Sequence, residues 1–281
     1  MKKDQFIIAY LPSEDVCDTV LSYSLFLARM LKKDIILLHI DDKRYHERLD
    51  EDYFKSLQEK VRQENPDGPH ASYCILHERS RKALSAVATL LNGVVVVAAV
   101  NPHARHRTPS HRRELLRNFA ECKIAYLTVR NGRLATHHTA TKVAFSVDYR
   151  KESKEKLIWA SYFARFNHSQ LQLFHERYTD ERLHRKWHNN MLFLDKFFNS
   201  MVIPYTKHTL PSRHVLFPET VVANAASAEG CDLLISTTTD LRDRDIVEYF
   251  AGTAEQRVIL NEEQLPVLFL NPRDDLYVLC D

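Results

Sequence analysis

The chain has very little glycine, and this limits the kinds of site it can form. Its 281 residues include five glycines, at Gly68, Gly93, Gly132, Gly230 and Gly252. The two that lie nearest to each other are 22 positions apart. Loops that bind phosphate through the backbone need several neighbouring glycines, because other side chains block the approach of the N–H groups to the anion. A P-loop and a G-x-G-x-x-G dinucleotide motif are therefore excluded.

Paired cysteines and long apolar runs are also missing. The five cysteines are scattered and include no Cys-x-x-Cys pair, which argues against a disulfide framework and favours a reducing compartment. No apolar run approaches the roughly 20 residues that a membrane-spanning helix needs. The run at 6–11 is too short for a signal peptide and is followed by the acidic turn Pro12-Ser13-Glu14-Asp15. We therefore expect a soluble, cytoplasmic protein with no membrane role.

Signals for catalysis are absent from the sequence as well. The formal net charge of +2 gives no overall attraction to nucleic acid or to a membrane surface. The G-x-S-x-G motif of serine hydrolases does not occur. Cys17 lies near Asp15 and Asp18, whose negative charges disfavour its thiolate. The sequence thus predicts a protein without enzymatic activity.

What the sequence does contain is an internal repeat. The stretch LFLARMLKKDIILLHI at 25–40 aligns without a gap with SYFARFNHSQLQLFHE at 161–176, a shift of 136 positions. Under the same shift, IIAYLP at 7–12 aligns with VAFSVD at 143–148. An ungapped offset that covers a strand, a helix and a second strand indicates two copies of one structural unit.

Each copy alternates apolar runs of strand length with helical spacing of apolar residues. Strands are predicted at 6–11, 35–40, 73–76, 94–100 and 124–129, and again at 142–147, 170–175, 203–207, 233–237 and 266–270. Helices are predicted at 18–32, 50–63, 81–91 and 108–121, and again at 154–166, 180–199, 219–229 and 252–260. Alternating strands and helices predict parallel sheets with helices on both faces. The expected fold is α/β, with two tandem doubly wound five-stranded domains at 1–131 and 142–281 and a linker at 132–141.

The ordered set of motifs resembles a tandem universal stress protein, with a Rossmann-like fold of the adenine nucleotide alpha hydrolase type. In the second half, the matching stretches are 143–148, 164–165, 173–175, 232–235, 252–258 and 266–268; in the first half they are 7–10, 27–40 and 94–97. The resemblance implies that the fifth strands of the two domains pair, which makes the chain an intramolecular pseudo-dimer. It also implies a stress-related regulatory or binding function without turnover.

Many members of that family bind ATP through Gly-x-x-Gly, nine residues and Gly-Ser/Thr after the fourth strand. Gly252-Thr253 matches the last element, but the earlier glycine positions hold Thr239 and Arg242. Pro12 in the first half stands where Asp148 stands in the second, and 101–110 contains no glycine. The resemblance therefore implies no ATP in the first half and a degenerate nucleotide site in the second.

The residues of that second site are Asp148, Gly252 and Thr253. Such folds bind ligands at the carboxyl ends of their strands, which would place ribose or adenine near Asp148 and phosphate near Thr253. The simpler interpretation is that Asp148 caps a turn and Thr253 caps a helix. We expect no obligatory cofactor; the alternative is an ATP- or AMP-binding switch that works through the second half alone.

A basic run lies where the family's phosphate loop would be in the first half. Its cations are Arg105, Arg107, Arg112, Arg113 and Arg117. Their guanidinium groups could hold an anion, and a solvated loop and helix face is the alternative. Nucleic-acid binding would need aromatic platforms among the arginines, and the one nearby aromatic residue is Phe119. The sequence therefore argues against a nucleic-acid partner.

Four histidines complete the set of candidates. His184 and His188 lie one helical turn apart, a spacing compatible with a metal, but the sequence fixes no third ligand and we predict no metal site. His39 and His175 occupy matching strand ends and are interpreted as repeated packing positions. Protein partners and a homodimer both remain open.

Overall fold

A computed structural model of the chain describes residues 4–41, 49–77, 83–100, 124–210, 218–238, 258 and 265–271. The chain divides into two units, Met1–His137 and His138–Asp281. The division falls within 132–141, the range of the predicted linker. The predicted helix at 108–121 and nearly all of the one at 252–260 lie outside the described residues. The mutual packing of the two units stays a prediction.

The described part of the first unit contains a parallel sheet. Its strands are β1 (Phe6–Tyr10), β2 (Asp34–Ile40), β3 (Ala71–Leu76), β4 (Gly93–Val100) and β5 (Ala125–Arg130). The described helices are α1 (Cys17–Leu31), α2 (Glu51–Glu64) and α3 (Ala83–Leu90). The strand order is β3-β2-β1-β4-β5, and each neighbouring pair is parallel. α1 packs against β1, β2, β4 and β5, while α2 packs against β3.

The described part of the second unit repeats this order. Its strands are β6 (Lys142–Ser146), β7 (Gln170–His175), β8 (Tyr205–Thr209), β9 (Leu233–Thr237) and β10 (Val267–Leu270). Its helices are α4 (Ser153–Phe166), α5 (Glu181–Ser200) and α6 (Pro218–Ala228). The strand order is β10-β9-β6-β7-β8, again with parallel pairs. The predicted α/β fold with two tandem parallel sheets is thereby confirmed.

The register of the strands reproduces the repeat that the sequence shows. In the first unit β1 pairs with β2 from Phe6↔Asp34 to Tyr10↔Leu38. In the second unit β6 pairs with β7 from Lys142↔Gln170 to Ser146↔Phe174. Each of these positions differs from its counterpart by the same 136 residues. The two units therefore share one architecture, position by position, from the first strand through the second.

The centre of each sheet is buried on both faces. All residues of β2 after Asp34 are buried, as are the five residues of β9. A strand that alternated between core and solvent would show every second residue exposed, so these strands are covered on both sides. This explains why the sequence shows continuous apolar runs there instead of an alternating pattern. No helix in the described ranges is long and apolar enough to cross a membrane.

The segment at 132–141 is held by hydrogen bonds on either side of the division. The backbone N–H groups of Gly132 and Ala135 donate to the hydroxyl groups of Thr19 and Ser22 on α1. Further along, the N–H group of Thr141 donates to the Asp232 carboxylate at 3.0 Å. The first part of this segment is therefore hydrogen-bonded to α1 and its last residue to Asp232.

Candidate functional site

The second unit has a topological switch point between β6 and β9. The chain runs from β6 outward through β7 to β8 and then returns to the other side of β6 as β9. The carboxyl ends of the two strands on either side of such a point form a crevice, where open α/β sheets bind ligands. Asp148 follows β6 by two residues, and Thr238 directly follows β9. The structure thus places Asp148 at the expected edge of the sheet.

The Asp148 carboxylate accepts hydrogen bonds from Arg150 in its own loop and from Ser153 at the start of α4. One oxygen, Oδ1, accepts from the backbone N–H of Arg150 at 2.9 Å and from Ser153 Oγ at 2.6 Å. The other, Oδ2, accepts from Arg150 Nε at 2.8 Å and Nη2 at 2.6 Å. The bond from the Arg150 N–H is that of an aspartate that caps a turn. The guanidinium group of Arg150 then forms an ion pair with the same carboxylate.

Two further side chains fix the loop. Arg150 Nη2 also donates to Glu219 Oε1 at 2.9 Å, which ties the loop to the first turn of α6. Asn190, buried on α5, donates to the backbone carbonyl oxygens of Asp148 and Arg150, both at 2.8 Å. We refer to Asp148, Arg150, Ser153 and Glu219 as the Asp148 cluster. It joins two segments that are far apart in sequence, and Asn190 adds a third.

The charges in this cluster determine the protonation of Asp148. Burial by itself raises the pKa of the Asp148 carboxyl, but the positive charges of Lys156 and Arg150 outweigh it and lower the pKa to about 2. The guanidinium group of Arg150 is stabilised by Asp148 and Glu219, which raise its pKa in spite of burial. Asp148 and Arg150 are therefore a charged pair at any pH near neutrality.

Lys156 lies beneath the cluster and is 1% exposed. It belongs to α4, and its Nζ donates to Ser146 Oγ at the end of β6, at a distance of 3.0 Å. Burial lowers the pKa of this amine, and the charge of Asp148 partly offsets the effect. A lysine at such a position is costly, since the interior solvates an ammonium group poorly.

In the described part of the first unit, the positions that match Asp148, Ser153 and Lys156 do not form this polar arrangement. Under the 136-residue shift, Asp148 corresponds to Pro12, Ser153 to Cys17 and Lys156 to Val20. Val20 is 0% exposed and packs in the core, and burial raises the pKa of the Cys17 thiol to about 11. The two units have the same backbone plan but different chemistry at this edge of the sheet.

Aromatic rings lie near the carboxyl ends of β6 and β7. The rings of Tyr149 and Tyr178 meet edge to face with centroids 5.5 Å apart, and Trp187 lies 5.2 Å from His175. Glu176, half-buried at the end of β7, has its pKa raised first by burial and then by the negative charges of Glu219 and Asp148. This edge therefore carries a carboxyl group that is more easily protonated than an ordinary glutamate.

The candidate histidines differ in their surroundings. His39 is 2% exposed, and its Nδ1 lies 2.7 Å from the Leu11 carbonyl oxygen. His175 at the matching position is half-buried against Trp187. His184 and His188 are both exposed on α5, with ring centroids 6.4 Å apart. Within the described ranges, no group of three or more histidine, cysteine or acidic residues could hold a metal ion.

Other predicted site residues cannot be placed. Gly252 and Thr253 lie outside the described residues, as do Thr239 and Arg242 and the basic run that starts at Arg105. Of the predicted nucleotide-binding set, the structure therefore describes Asp148 alone. Its role toward a ligand stays a prediction.

Comparison with known proteins gives the fold. No protein-family model matches this sequence, and the search of curated proteins finds no match. A universal stress protein from Archaeoglobus fulgidus DSM 4304 covers 96% of this chain and 97% of its own, with a TM-score of 0.67 and 12% identity. The chain has the fold of a tandem universal stress protein. At this identity the likeness shows the fold alone.

The universal stress fold occurs in proteins with different roles. The cytoplasmic domain of a prokaryotic cation chloride cotransporter covers 95% of this chain with a TM-score of 0.56 and 13% identity. A universal stress protein has been solved in complex with cAMP, and one from Arabidopsis thaliana with AMP bound. These two cover 46% and 48% of this chain, with TM-scores of 0.35 and 0.33.

Sequence reasoning missed most of the Asp148 cluster. Arg150 and Glu219 are 69 residues apart, and no local pattern connects them. Lys156 did carry a signal: the repeat aligns it with Val20 at a position where a helix faces the sheet. A lysine that replaces a core valine in an ungapped repeat marks a buried charge, and buried charges need partners.

Proposed function

We propose that this chain is a non-catalytic regulatory or binding protein of the universal stress type, with a nucleotide site in the second unit that its own side chains have closed. The main support for this proposal is that the Asp148 carboxylate already accepts four hydrogen bonds, three of them from Arg150. An ionised carboxylate offers about four lone-pair positions. A ribose hydroxyl would have to displace one of these donors before it could bind.

The displacement is unfavourable because the existing bonds are charge-assisted. Bonds between a guanidinium group and a carboxylate are about twice as strong as neutral hydrogen bonds. Releasing Arg150 would also leave Glu219 without its cation. A neutral hydroxyl donor cannot replace that charge, so the loop favours its internal partner over a nucleotide.

The first unit supports the same proposal. Pro12 offers neither a carboxylate nor a backbone donor where the second unit has Asp148. The proposal therefore gives the chain neither a resident nucleotide nor ATP turnover. A role of this kind operates through a protein partner or a second copy of the chain, and the free Cys17, Cys74 and Cys231 favour the reducing cytoplasm.

The test is a calorimetric titration of the purified chain with Mg²⁺–ATP, and then with AMP and cAMP. We expect no saturable heat at millimolar nucleotide, and no rise in melting temperature under the same conditions. Binding of about one nucleotide per chain would contradict the proposal and favour the switch that uses the second unit.

Two variants locate any binding that is observed. Asp148→Asn keeps the size of the side chain and removes its charge, so a site built on Asp148 would be lost. Asp195→Asn is the matched control, because Asp195 bonds to Tyr205 and Lys207 and takes no part in the Asp148 cluster. Binding that survives in both variants would place the nucleotide elsewhere on the chain.

A further inference from the structure

Ser146 and Lys156 form a hydrogen-bonded pair at the switch point of the second unit. Ser146 is the last residue of β6 and is partly exposed at the carboxyl edge of the sheet. Lys156 approaches it from α4, with Nζ 3.0 Å from Oγ. A hydroxyl group next to a buried amine is one of the arrangements by which proteins activate a serine nucleophile.

The amine of Lys156 has no carboxylate bonded to it in the described part of the chain. Arg150 and Ser153 donate hydrogen bonds to the carboxylate oxygens of Asp148, and Arg150 also donates to the carboxylate of Glu219. The Lys156 amine instead donates a hydrogen bond to a neutral hydroxyl, that of Ser146. Burial of this amine, which is 1% exposed, lowers its pKa, and the nearby negative charge of Asp148 offsets only part of that effect.

The pair is confined to the second unit. Under the repeat, Ser146 corresponds to Tyr10 and Lys156 to Val20. The first unit thus forms the same strand and helix with an aromatic residue and a valine at these positions. The fold itself therefore does not require the lysine; in the second unit its charge acts on Asp148, and its amine lies against the Ser146 hydroxyl.

We propose that Ser146 is a nucleophile, activated by the amine of Lys156, that accepts an acyl group from small activated esters. Ser146 Oγ attacks the carbonyl carbon and its proton passes to Lys156 Nζ. The bond between that carbon and the leaving oxygen then breaks, and the alcohol leaves with the proton from Nζ. The products are an acyl-serine and one alcohol, with the amine neutral again.

This assignment does not depend on the nucleotide proposal. Acylation of Ser146 requires an amine that is neutral for part of the time, and burial lowers the pKa of Lys156 in that direction. It also gives the second unit a covalent modification site, consistent with a regulatory protein that does not turn over ATP. The donor class is an acyl group on a good leaving group.

The test uses p-nitrophenyl acetate on the full-length protein, with nitrophenolate release measured by absorbance and the modified residues identified by peptide mass spectrometry. We expect one acetyl group on Ser146 that alkaline hydroxylamine removes, because it cleaves oxygen esters and leaves lysine amides intact. Ser146→Ala should lack this group. Lys156→Met, which keeps an unbranched side chain of similar volume, should acetylate Ser146 about 100-fold more slowly.

The matched control is Lys154→Met, which removes a lysine of the same helix that lies over the Phe193 ring. It should react at the rate of the unchanged protein. Acetylation of Ser146 no faster than that of the exposed Ser200 would overturn the proposal, as would an undiminished rate in Lys156→Met. If circular dichroism shows that Lys156→Met is unfolded, the pH dependence of Ser146 acetylation is measured in the unchanged protein instead. A rate that does not rise with pH would overturn the proposal.

Discussion

At the residue scale, Arg150 forms ion pairs with two carboxylates, those of Asp148 and Glu219. Its side chain is 31% exposed, while those of Asp148 and Glu219 are 17% and 13% exposed. Removing one partner of a buried ion pair costs about 3–5 kcal/mol, and solvent screening reduces this for a partly exposed group. Arg150→Met should therefore lower the free energy of unfolding by about 2 kcal/mol, as measured by urea denaturation.

A second arginine gives the control for that measurement. Arg185 pairs with Glu181 one turn away on α5, and both side chains are exposed, at 74% and 89%. Exposed pairs of this kind contribute about 0.3–0.5 kcal/mol. If Arg185→Met costs as much as Arg150→Met, the Asp148 cluster is not a stabilising feature.

Glu176 behaves in the opposite way to Asp148. Burial, Glu219 and Asp148 together raise its pKa, so its ionised form destabilises the folded chain. The penalty is absent below the pKa of the unfolded chain and is complete once the pH exceeds the folded pKa. Glu176→Gln should therefore raise the melting temperature at pH 7 and leave it nearly unchanged at pH 4. Equal effects at both pH values would show that the charge is not the cause.

At the scale of elements, α5 begins with a capping aspartate. The Asp180 side chain accepts from the backbone N–H of Leu183 at 2.8 Å, and Asp50 caps α2 in the same way with Tyr53 at 2.9 Å. Replacing such a cap with alanine costs about 1 kcal/mol. Asp180→Ala should show this loss in urea denaturation, whereas Asp180→Asn should retain the cap. Equal losses in the two variants would mean that capping is not what Asp180 contributes.

Most elements could be predicted because their core faces are continuous and apolar. β7 and β9 begin and end where they were expected, and α4 starts one residue before its predicted limit. β8 was predicted two residues too early, at 203–207. Its polar residues, from Tyr205 to Thr209, form an edge strand, while the apolar Ile203 that suggested the start is buried just before it. An edge strand exposes polar groups, so its sequence gives a weaker signal.

At the scale of the whole molecule, the repeat predicted the position of Asp148 but not its partners. The ungapped shift of 136 residues places Asp148 at the end of β6, and the observed register agrees. Asn190 and Glu219 reach that point only because α5 and α6 fold back against the sheet. Such contacts depend on the fold as a whole, and hydrophobic periodicity carries no information about them.

The unequal chemistry of the two units predicts an unequal response to acid. The pKa of Asp148 is lowered from 3.8 to about 2, so the stability it contributes is present above pH 3.8 and is lost as the pH falls toward 2. A shift of this size corresponds to about 2 kcal/mol. Pro12 and Val20 at the matching positions of the first unit do not titrate. Hydrogen exchange should therefore show β6 and β7 losing protection below about pH 4 before β1 and β2 do.

Both units belong to one chain and are measured in the same sample. Any effect of acid on exchange that is common to the two units therefore cancels when they are compared. Protection factors corrected for the intrinsic pH dependence of exchange should fall by about 2 kcal/mol more in β6 and β7 than in β1 and β2. In Asp148→Asn the difference between pH 5 and pH 2 should disappear, because the amide does not titrate. If the second unit of that variant still loses protection selectively, another carboxylate is responsible, and the charge of Asp148 is not what sets the acid limit of the second unit.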